Sequence, residues 1–387
     1  VRISPPDFHR DVHCIFGLPF DAIGETECVR RVRAAAGKRE RLFLSTPNLS
    51  FASGCRDDVA FRQSVVDSDL CTADGKPIVW LARLMGAPLH ERVAGSTVFD
   101  RLTDEPGDKI SVYFFGGPPG SAEQAASRIN HPGRLGARVV GHATPGFGTL
   151  EEMSGPQWTQ PINAAGPDFL VVALGARKGQ AWIERNWRSL EVPVVSHLGA
   201  VVNFVAGSVA RAPVWMQQAG LEWAWRIKEE PSLWRRYWQD AKALARHLLF
   251  GVIPWLVVHG RSVDAQPRMG LARSQRGDHV VLTLTGRADN GPSLEPLRDE
   301  LTAACASGAT VTLDVAGLTY AGTGFMALVQ LLDGWQRNRT GQPVLSGVKP
   351  RLARGLRWTG AGYLLESSQA RVADLGGVAG TAQAPLI

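Results

Sequence analysis

The feature that most constrains this chain is a succession of short β-rich runs separated by stretches of helical patterning. They are Arg41 to Ser45 (RLFLS), Ile110 to Phe115 (ISVYFF), Ala137 to Gly141 (ARVVG), Phe169 to Leu174 (FLVVAL) and Val192 to Ser196 (VPVVS). Strands apolar along their whole length cannot leave one face in water, and strands joined through a helix pair in parallel. The pattern predicts βαβ units and a parallel sheet covered on both faces.

A chain of 387 residues exceeds one such core. The polar stretch Asp264 to Asp278 (DAQPRMGLARSQRGD) reads as a linker. We therefore expect a first domain over 1–263, a linker over 264–277, a second domain over 278–376 and a loose Gly/Ala-rich tail over 377–387. In the second domain His279 to Thr285 and Thr310 to Val315 read as strands flanking a helix over Ser293 to Cys305. A helix over Phe325 to Asn338 and a strand near Pro343 to Ser346 complete a small βαβαβ module.

Residues 215–258 have a different texture. Trp215, Trp223, Trp225, Trp234, Trp238 and Trp255 are interleaved with Arg226, Lys228, Arg235, Arg236, Lys242 and Arg246, and Pro231 divides the segment. The apolar run from Leu248 to Val257 that follows is too short to span a bilayer but suits a membrane interface. A core helix pair with a solvated basic face fits the same composition. No other apolar run approaches a spanning length, and His9, Arg10 and Asp11 precede any apolar stretch, so export is not expected. A net charge of +6 favours an anionic partner without choosing among phosphate, nucleic acid and lipid. Cys14, Cys28, Cys55, Cys71 and Cys305 are scattered, with no CxxC, which fits a reducing cytoplasm better than a disulfide framework or a zinc ribbon.

Residues that can carry chemistry fall where strands should hand over to helices, the edge at which open α/β sheets bind ligands. Thr46, Pro47 and Asn48 follow the first run. Asp74 and Gly75 precede an apolar helix over Ile78 to Met85, so Asp74 is either a helix cap, the commoner use, or a crevice carboxylate. Gly116, Gly117, Pro118, Pro119, Gly120 and Ser121 form a loop that can offer backbone N–H groups to phosphate or be a plain turn. Asp67, Ser68 and Asp69 superficially suggest a metal-holding DxD, but no His or third carboxylate nearby completes a site, and no metal or cofactor is expected. No GxGxxG follows the first strand, and no RRM, KH or helix-turn-helix signature accompanies the basic segment, so neither a dinucleotide nor a nucleic-acid partner is expected.

Seven stretches occur in an order that resembles the WecG/TagA/CpsF glycosyltransferases, glycosyltransferase family 26. They are TPN (46–48), ADGKPIVW (73–80), ERVAGS (91–96), FFGGPPGSAEQAA (114–126), PDFLVVALGARKGQAW (167–182), GAVVNFVAGSVARAP (199–213) and GLEWAWRIKEEPSLWRRY (220–237). The resemblance implies a Rossmann-like domain. It also implies an inverting, metal-independent transfer of a hexosyl or N-acetylhexosaminyl group from a UDP-sugar to a polyprenyl-diphosphate-linked acceptor, in polysaccharide assembly at the inner face of the cytoplasmic membrane. By the same resemblance Asp74 is the base, and Thr46, Asn48 and Arg92 line the substrate pocket. Gly116, Gly117 and Gly120 belong to the nucleotide-sugar loop, and Arg226 and Arg236 close over the site while 215–258 touches lipid. The resemblance also implies substrate contacts from Lys178 and Gln180, in a motif usually written PKQE; here it is Arg177, Lys178, Gly179, Gln180, and Asn203 and Leu233 also depart from the family's usual Asp and Arg.

Residues 278–376 resemble a STAS domain through TVTLDVAGLTYAGTGFMAL (310–328). The residue at the position of the family's phosphorylated serine is Gly322, which has no hydroxyl, while Thr323 is expected to cap the following helix or to bind through its hydroxyl. A module of this kind implies a protein partner or a docking role. The altered positions Gly179, Gln180 and Asn203 suggest an alternative function, a catalytically silent regulator that binds a sugar nucleotide or lipid and acts through the STAS module.

Overall fold

The computed structural model describes residues 4–131, 136–209, 211–213, 215–216, 220–259, 268–337, 339–340 and 344–366. The chain divides into two compact units. One is Asp21–Arg83 with Pro88–Ala245; the other joins Arg2–Phe20, Leu84–Ala87 and Arg246–Ile387. The second unit is thus built from both ends of the chain.

The chain opens with a hairpin, β1 (Val12–Ile15) and β2 (Leu18–Asp21). Its two-residue turn is Phe16–Gly17, with φ of 53° and 84°. Positive φ at both central residues is the signature of a type I′ turn, whose twist matches that of the strands it joins.

The first unit then runs α1 (Glu25–Lys38), β3 (Leu42–Ser45), α2 (Leu49–Asp57), α3 (Val59–Val66), β4 (Leu70–Cys71), α4 (Lys76–Leu84) and α5 (Gly95–Asp104). It continues with β5 (Ile110–Gly116), α6 (Ser121–Ile129), β6 (Ala137–Ala143), α7 (Pro156–Ala165), β7 (Phe169–Ala173), α8 (Ala176–Asn186), β8 (Val194–His197), α9 (Val201–Ala206) and α10 (Glu222–Glu229). The six strands from β3 to β8 form one sheet in the order β4-β3-β8-β7-β5-β6, and every pairing is parallel. Strands β5, β7 and β8 are buried at every residue, because α1, α5, α6 and α9 cover one face and α7 and α8 the other. This is the doubly covered sheet that the unalternating apolar runs demanded.

Helix α11 (Trp234–His247) passes through a π-helical turn (Leu248–Val252) into α12 (Ile253–His259). Pro254 has no N–H to give a helical partner one turn back, and the wider π turn lets the chain absorb that loss and continue. The consequence corrects the sequence reading. The helical stretch Pro231–Val258 is 28 residues and is long and apolar enough, by length and composition, to cross a membrane. Its faces nevertheless differ. Asp240, His247, Gly251, Val252 and Trp255 are buried against protein, whereas Trp234, Trp238, Leu249, Phe250, Ile253 and Val257 are each about half exposed or more. The helix therefore carries one protein-packed face and one open apolar stripe.

In the second unit β9 (Gly270–Arg276), β10 (His279–Ala288), α13 (Glu295–Ala306), β11 (Thr310–Ala321), α14 (Thr323–Arg337), β12 (Leu345–Ser346) and α15 (Pro350–Trp358) follow. The sheet order is β12-β11-β10-β9. β9 pairs antiparallel with β10 through Arg276 and His279. Residues 270–276, expected as linker, are therefore an edge strand turned at Gly277–Asp278, and the charges there sit on its exposed face. Residues 264–267, Asn338, Pro343 and the tail 377–387 lie outside the described residues.

Every residue of α14 from Thr323 to Gln336 is buried, which no helix on one face of a sheet achieves without a second cover. The cover is the N-terminal hairpin. β1 packs along α14, Gln330 donates to Gly17 O at 2.7 Å, and Gly17 N donates to Thr359 O at 2.7 Å. His13 joins the Thr323 hydroxyl to Asp11, at 3.0 and 3.1 Å. The start of α14 is capped by Asn290, whose Oδ1 accepts from Gly324 N at 2.8 Å. Thr323, expected as cap or ligand, is fully buried against His13 instead.

Candidate functional site

The candidate site lies at the C-terminal edge of the parallel sheet. After β3 the chain turns through Thr46, Pro47 and Asn48. The Asn48 side chain caps α2 by accepting from Phe51 N at 3.0 Å, and Thr46 is buried. After β4, Asp74 N donates to Pro47 O at 3.0 Å, which brings the two turns together. A third segment is fixed beside them, because Val93 N donates to Ala73 O at 2.9 Å and Thr72 Oγ1 to Val93 O at 3.2 Å. These ties set Arg92 beside Asp74.

The Asp74 carboxylate turns toward Arg92, whose Nε donates to its Oδ1 at 3.3 Å, and not onto the first amides of α4. Arg92 also holds Glu222 of α10, Nη2 to Oε2 at 2.9 Å. The Asp74 side chain is 26% exposed and that of Arg92 16%. Burial pushes the Asp74 carboxyl above the usual carboxylate range; Arg92 opposes this, Glu222 adds to it, and Arg226 opposes it from further off. A partly desolvated carboxylate with a raised pKa beside an arginine is the kind of group that can take a proton in catalysis.

Arg226, on the same helix as Glu222, rests over the Phe204 ring at 5.7 Å. Arg211 lies over that ring at 5.3 Å and is ion-paired with Asp100. The appendage helix α10 thus delivers both a carboxylate and a guanidinium to the site. Gly220, just ahead of it, lies so near the Lys76 stem that a Cβ there would sit 3.1 Å away.

The glycine loop lies further along the same edge. Gly116 and Gly117 have φ of 99° and 88°, and Gly117 N donates to Ala173 O at 2.8 Å. A Cβ on Gly116 would meet Ala173 O at 2.8 Å, so only glycine lets the chain leave β5 this close to β7. α6 departs to one face and α8 to the other, which opens a crevice between the ends of β5 and β7. Gly120 ends the loop as the N-cap of α6. Between β4 and β5 lie four strand spacings, ~19 Å, a distance that an extended ligand can bridge.

The remaining expected residues separate. Lys178 Nζ donates to Gly148 O at 2.7 Å. It lines a cavity of about 310 Å3 with Asp58, Phe61, Leu150 and Arg177, so it serves the α8 end and not the Asp74 cluster. Gln180 is fully buried and donates to Ser45 Oγ at 2.9 Å, acting through the strand that carries Thr46. Next to it Gly179 leaves room for His197, whose ring would lie 2.2 Å from a Cβ at that position. Arg236 is exposed, over Tyr237 at 5.2 Å, and bears on Asp240, which accepts from Ser50. Asp67 and Asp69 accept from Gln63 and from Phe43 N. Sequence reasoning missed Glu222, although it lies in the GLEW stretch; an acidic residue opening a helix reads as a response to the helix dipole, and only the tertiary contact reveals Arg92 as its partner.

A parallel sheet covered on both faces, with the Asp74–Arg92 pair in the turns at its C-terminal edge, is a Rossmann-like α/β architecture. The chain belongs to the WecG/TagA/CpsF family of glycosyl transferases, whose profile matches residues 13–253. Residues 271–366 match the Mlab-type STAS domain. Similar proteins include N-acetylglucosaminyldiphosphoundecaprenol N-acetyl-beta-D-mannosaminyltransferases. That of Bacillus spizizenii is 26% identical over 50% of this chain and 74% of its own length. That of Bacillus subtilis is 28% identical over 50% and 73%, and that of Staphylococcus aureus strain MRSA252 is 22% identical over 55% and 82%.

Proposed function

We propose that this protein transfers a hexosyl or N-acetylhexosaminyl group from a UDP-sugar to a hydroxyl of a polyprenyl-diphosphate-linked acceptor, with inversion and without a metal. The observation that carries the reading is the Asp74–Arg92 pair at the sheet's C-terminal edge, together with relatives that act on an undecaprenyl-diphosphate-linked sugar. In this reading an Asp74 oxygen takes the acceptor hydroxyl proton as that oxygen attacks the anomeric carbon. The bond from the anomeric carbon to the diphosphate oxygen breaks, and the electron pair leaves with UDP. Backbone N–H groups of Gly116 to Gly120 and the Arg226 guanidinium would meet the charge that develops on the diphosphate. Thr46 and Asn48 would shape the acceptor pocket, and Gln180 would hold the Thr46 turn through Ser45.

The open apolar stripe of 231–258, with Arg235, Lys242 and Arg246 beside it, would lie on the cytoplasmic membrane's inner face, where each basic residue contributes ~1 kcal/mol toward anionic lipid. The test is UDP release with a panel of UDP-sugars, with and without lipid-linked acceptor, in EDTA. Acceptor-dependent release that survives EDTA and falls by about 10²–10⁴ in Asp74→Asn supports the reading. UDP-sugar binding without turnover across the panel would replace it with a silent regulator acting through the STAS module.

A further inference from the structure

We propose that Glu222 is a positioning residue for this reaction: from the appendage helix it holds the Nη2 of Arg92, so that the Arg92 Nε meets Asp74 in the geometry the base requires. The inference rests on the transferase reading above but adds a residue and a role to it. Arg92 presents a rigid planar fork of N–H donors, so one guanidinium can serve two carboxylates through different nitrogens, and holding one of those nitrogens orients the other. Here Nη2 goes to Glu222 at 2.9 Å and Nε to Asp74 at 3.3 Å, the shorter bond being the one to the appendage. Val93, the next residue, is tied to Ala73, so the backbone of Arg92 is fixed while its long side chain is not. Glu222 supplies the missing constraint.

The arrangement has an electrostatic consequence. The charged groups acting on Asp74 are Arg92 from the segment before α5, and Glu222 and Arg226 from α10; Lys76, two residues along on α4, has its stem against Gly220. Glu222 keeps Asp74 a stronger base both by its own charge and by sharing Arg92. Removing that charge leaves Arg92 to Asp74 alone, and both changes move Asp74 in one direction, toward a lower pKa. A base must be deprotonated to act, so the acid limb of the pH profile follows it downward.

The test is the pH dependence of acceptor-dependent turnover in the full-length wild type, Glu222→Gln, Glu222→Asp and Asp74→Asn. We expect Glu222→Gln to shift the acid limb of kcat/KM to lower pH and to reduce kcat by about ten- to a hundredfold through misplacement of the base, with partial return in Glu222→Asp. Arg92→Lys should lower kcat as well, and Glu222→Gln should then add little to it, since the two act as a unit. An unmoved limb and full rate in Glu222→Gln, with Asp74→Asn inactive, would overturn the positioning role and leave the transferase reading standing. No turnover in the wild type would overturn the transferase reading. The Asp74 carboxyl titration, followed by NMR in wild type and Glu222→Gln, then decides the coupling, and identical titrations would overturn it.

Discussion

Gly17→Ala tests whether the N-terminal hairpin is seated on the C-terminal module. Gly17 has φ of 84°, and a Cβ there would lie 2.7 Å from Gly360 O and 3.2 Å from Gly360 C. Both are backbone atoms that cannot swing aside, and Gly17 N is already bonded to Thr359 O. The left-handed conformation costs a residue with a Cβ ~1–2 kcal/mol, and forcing a methyl into filled space ~1–3 kcal/mol more. A destabilisation of about 2–5 kcal/mol follows, which in a unit of this size lowers the midpoint by roughly 5–15 °C. Gly37→Ala is the control: nothing lies within 4 Å of its Cβ, it sits inside α1, and alanine there should stabilise by up to ~1 kcal/mol. The assay is scanning calorimetry of the full chain with hydrogen exchange of the α14 amides, which should lose protection in Gly17→Ala alone. An unchanged midpoint and unchanged α14 protection would show that residues 16–17 do not pack on 359–360, and the account of a module built from both chain ends would fall.

Three further outcomes are expected. Replacing Leu249, Phe250 and Ile253 with serine, all exposed, should weaken sedimentation with anionic vesicles while leaving the circular dichroism spectrum intact; undiminished binding would place the membrane contact elsewhere. All five cysteines are buried and free, and burial pushes the thiols of Cys14, Cys28 and Cys305 up to about 12. A thiol reagent should therefore titrate none in the native protein at neutral pH and five after denaturation, and rapid native labelling would contradict the packing. Glu184 has its carboxyl pushed up to about 7, by burial and then by Asp67. Its folded pKa exceeds the unfolded value, so the stability of its protonated form is complete below the ordinary Glu range and is lost as pH rises through 7. Glu184→Gln should raise the melting midpoint at pH 8 and not at pH 4; equal midpoints at pH 8 would refute the burial of that charge.

The sheet was legible because periodicity is a local consequence of burial. Runs such as FLVVAL can only be strands covered on both sides, and β7 is buried throughout. The turns after the strands were legible for the same reason, and with them Thr46, Asn48, Asp74 and the Gly116 to Gly120 loop as occupants of one sheet edge. Arg92 entered through family resemblance, and the bonds of its neighbour Val93 to Ala73 and Thr72 account for its place. The linker reading failed at 270–276 because a polar edge strand carries its charges on a solvent face and lacks the apolar signal of a covered strand.

Tertiary structure decided what depends on residues far apart in the chain. Nothing local to VHCIFGLPFD says that it will cover α14, since any amphipathic surface of the right shape satisfies a hairpin; the Gly17–Gly360 approach selects this one. Nothing local to GLEW says that its glutamate will share an arginine with Asp74, since an acid at a helix start is already explained by the helix. The sequence determined which segments must be strands and helices and which turns gather at one sheet edge, because hydrophobic periodicity acts within a few residues. The partners of Asp74, and the union of the two chain ends in one unit, came from the tertiary structure alone, because ion pairing and close packing act between surfaces that only folding brings together.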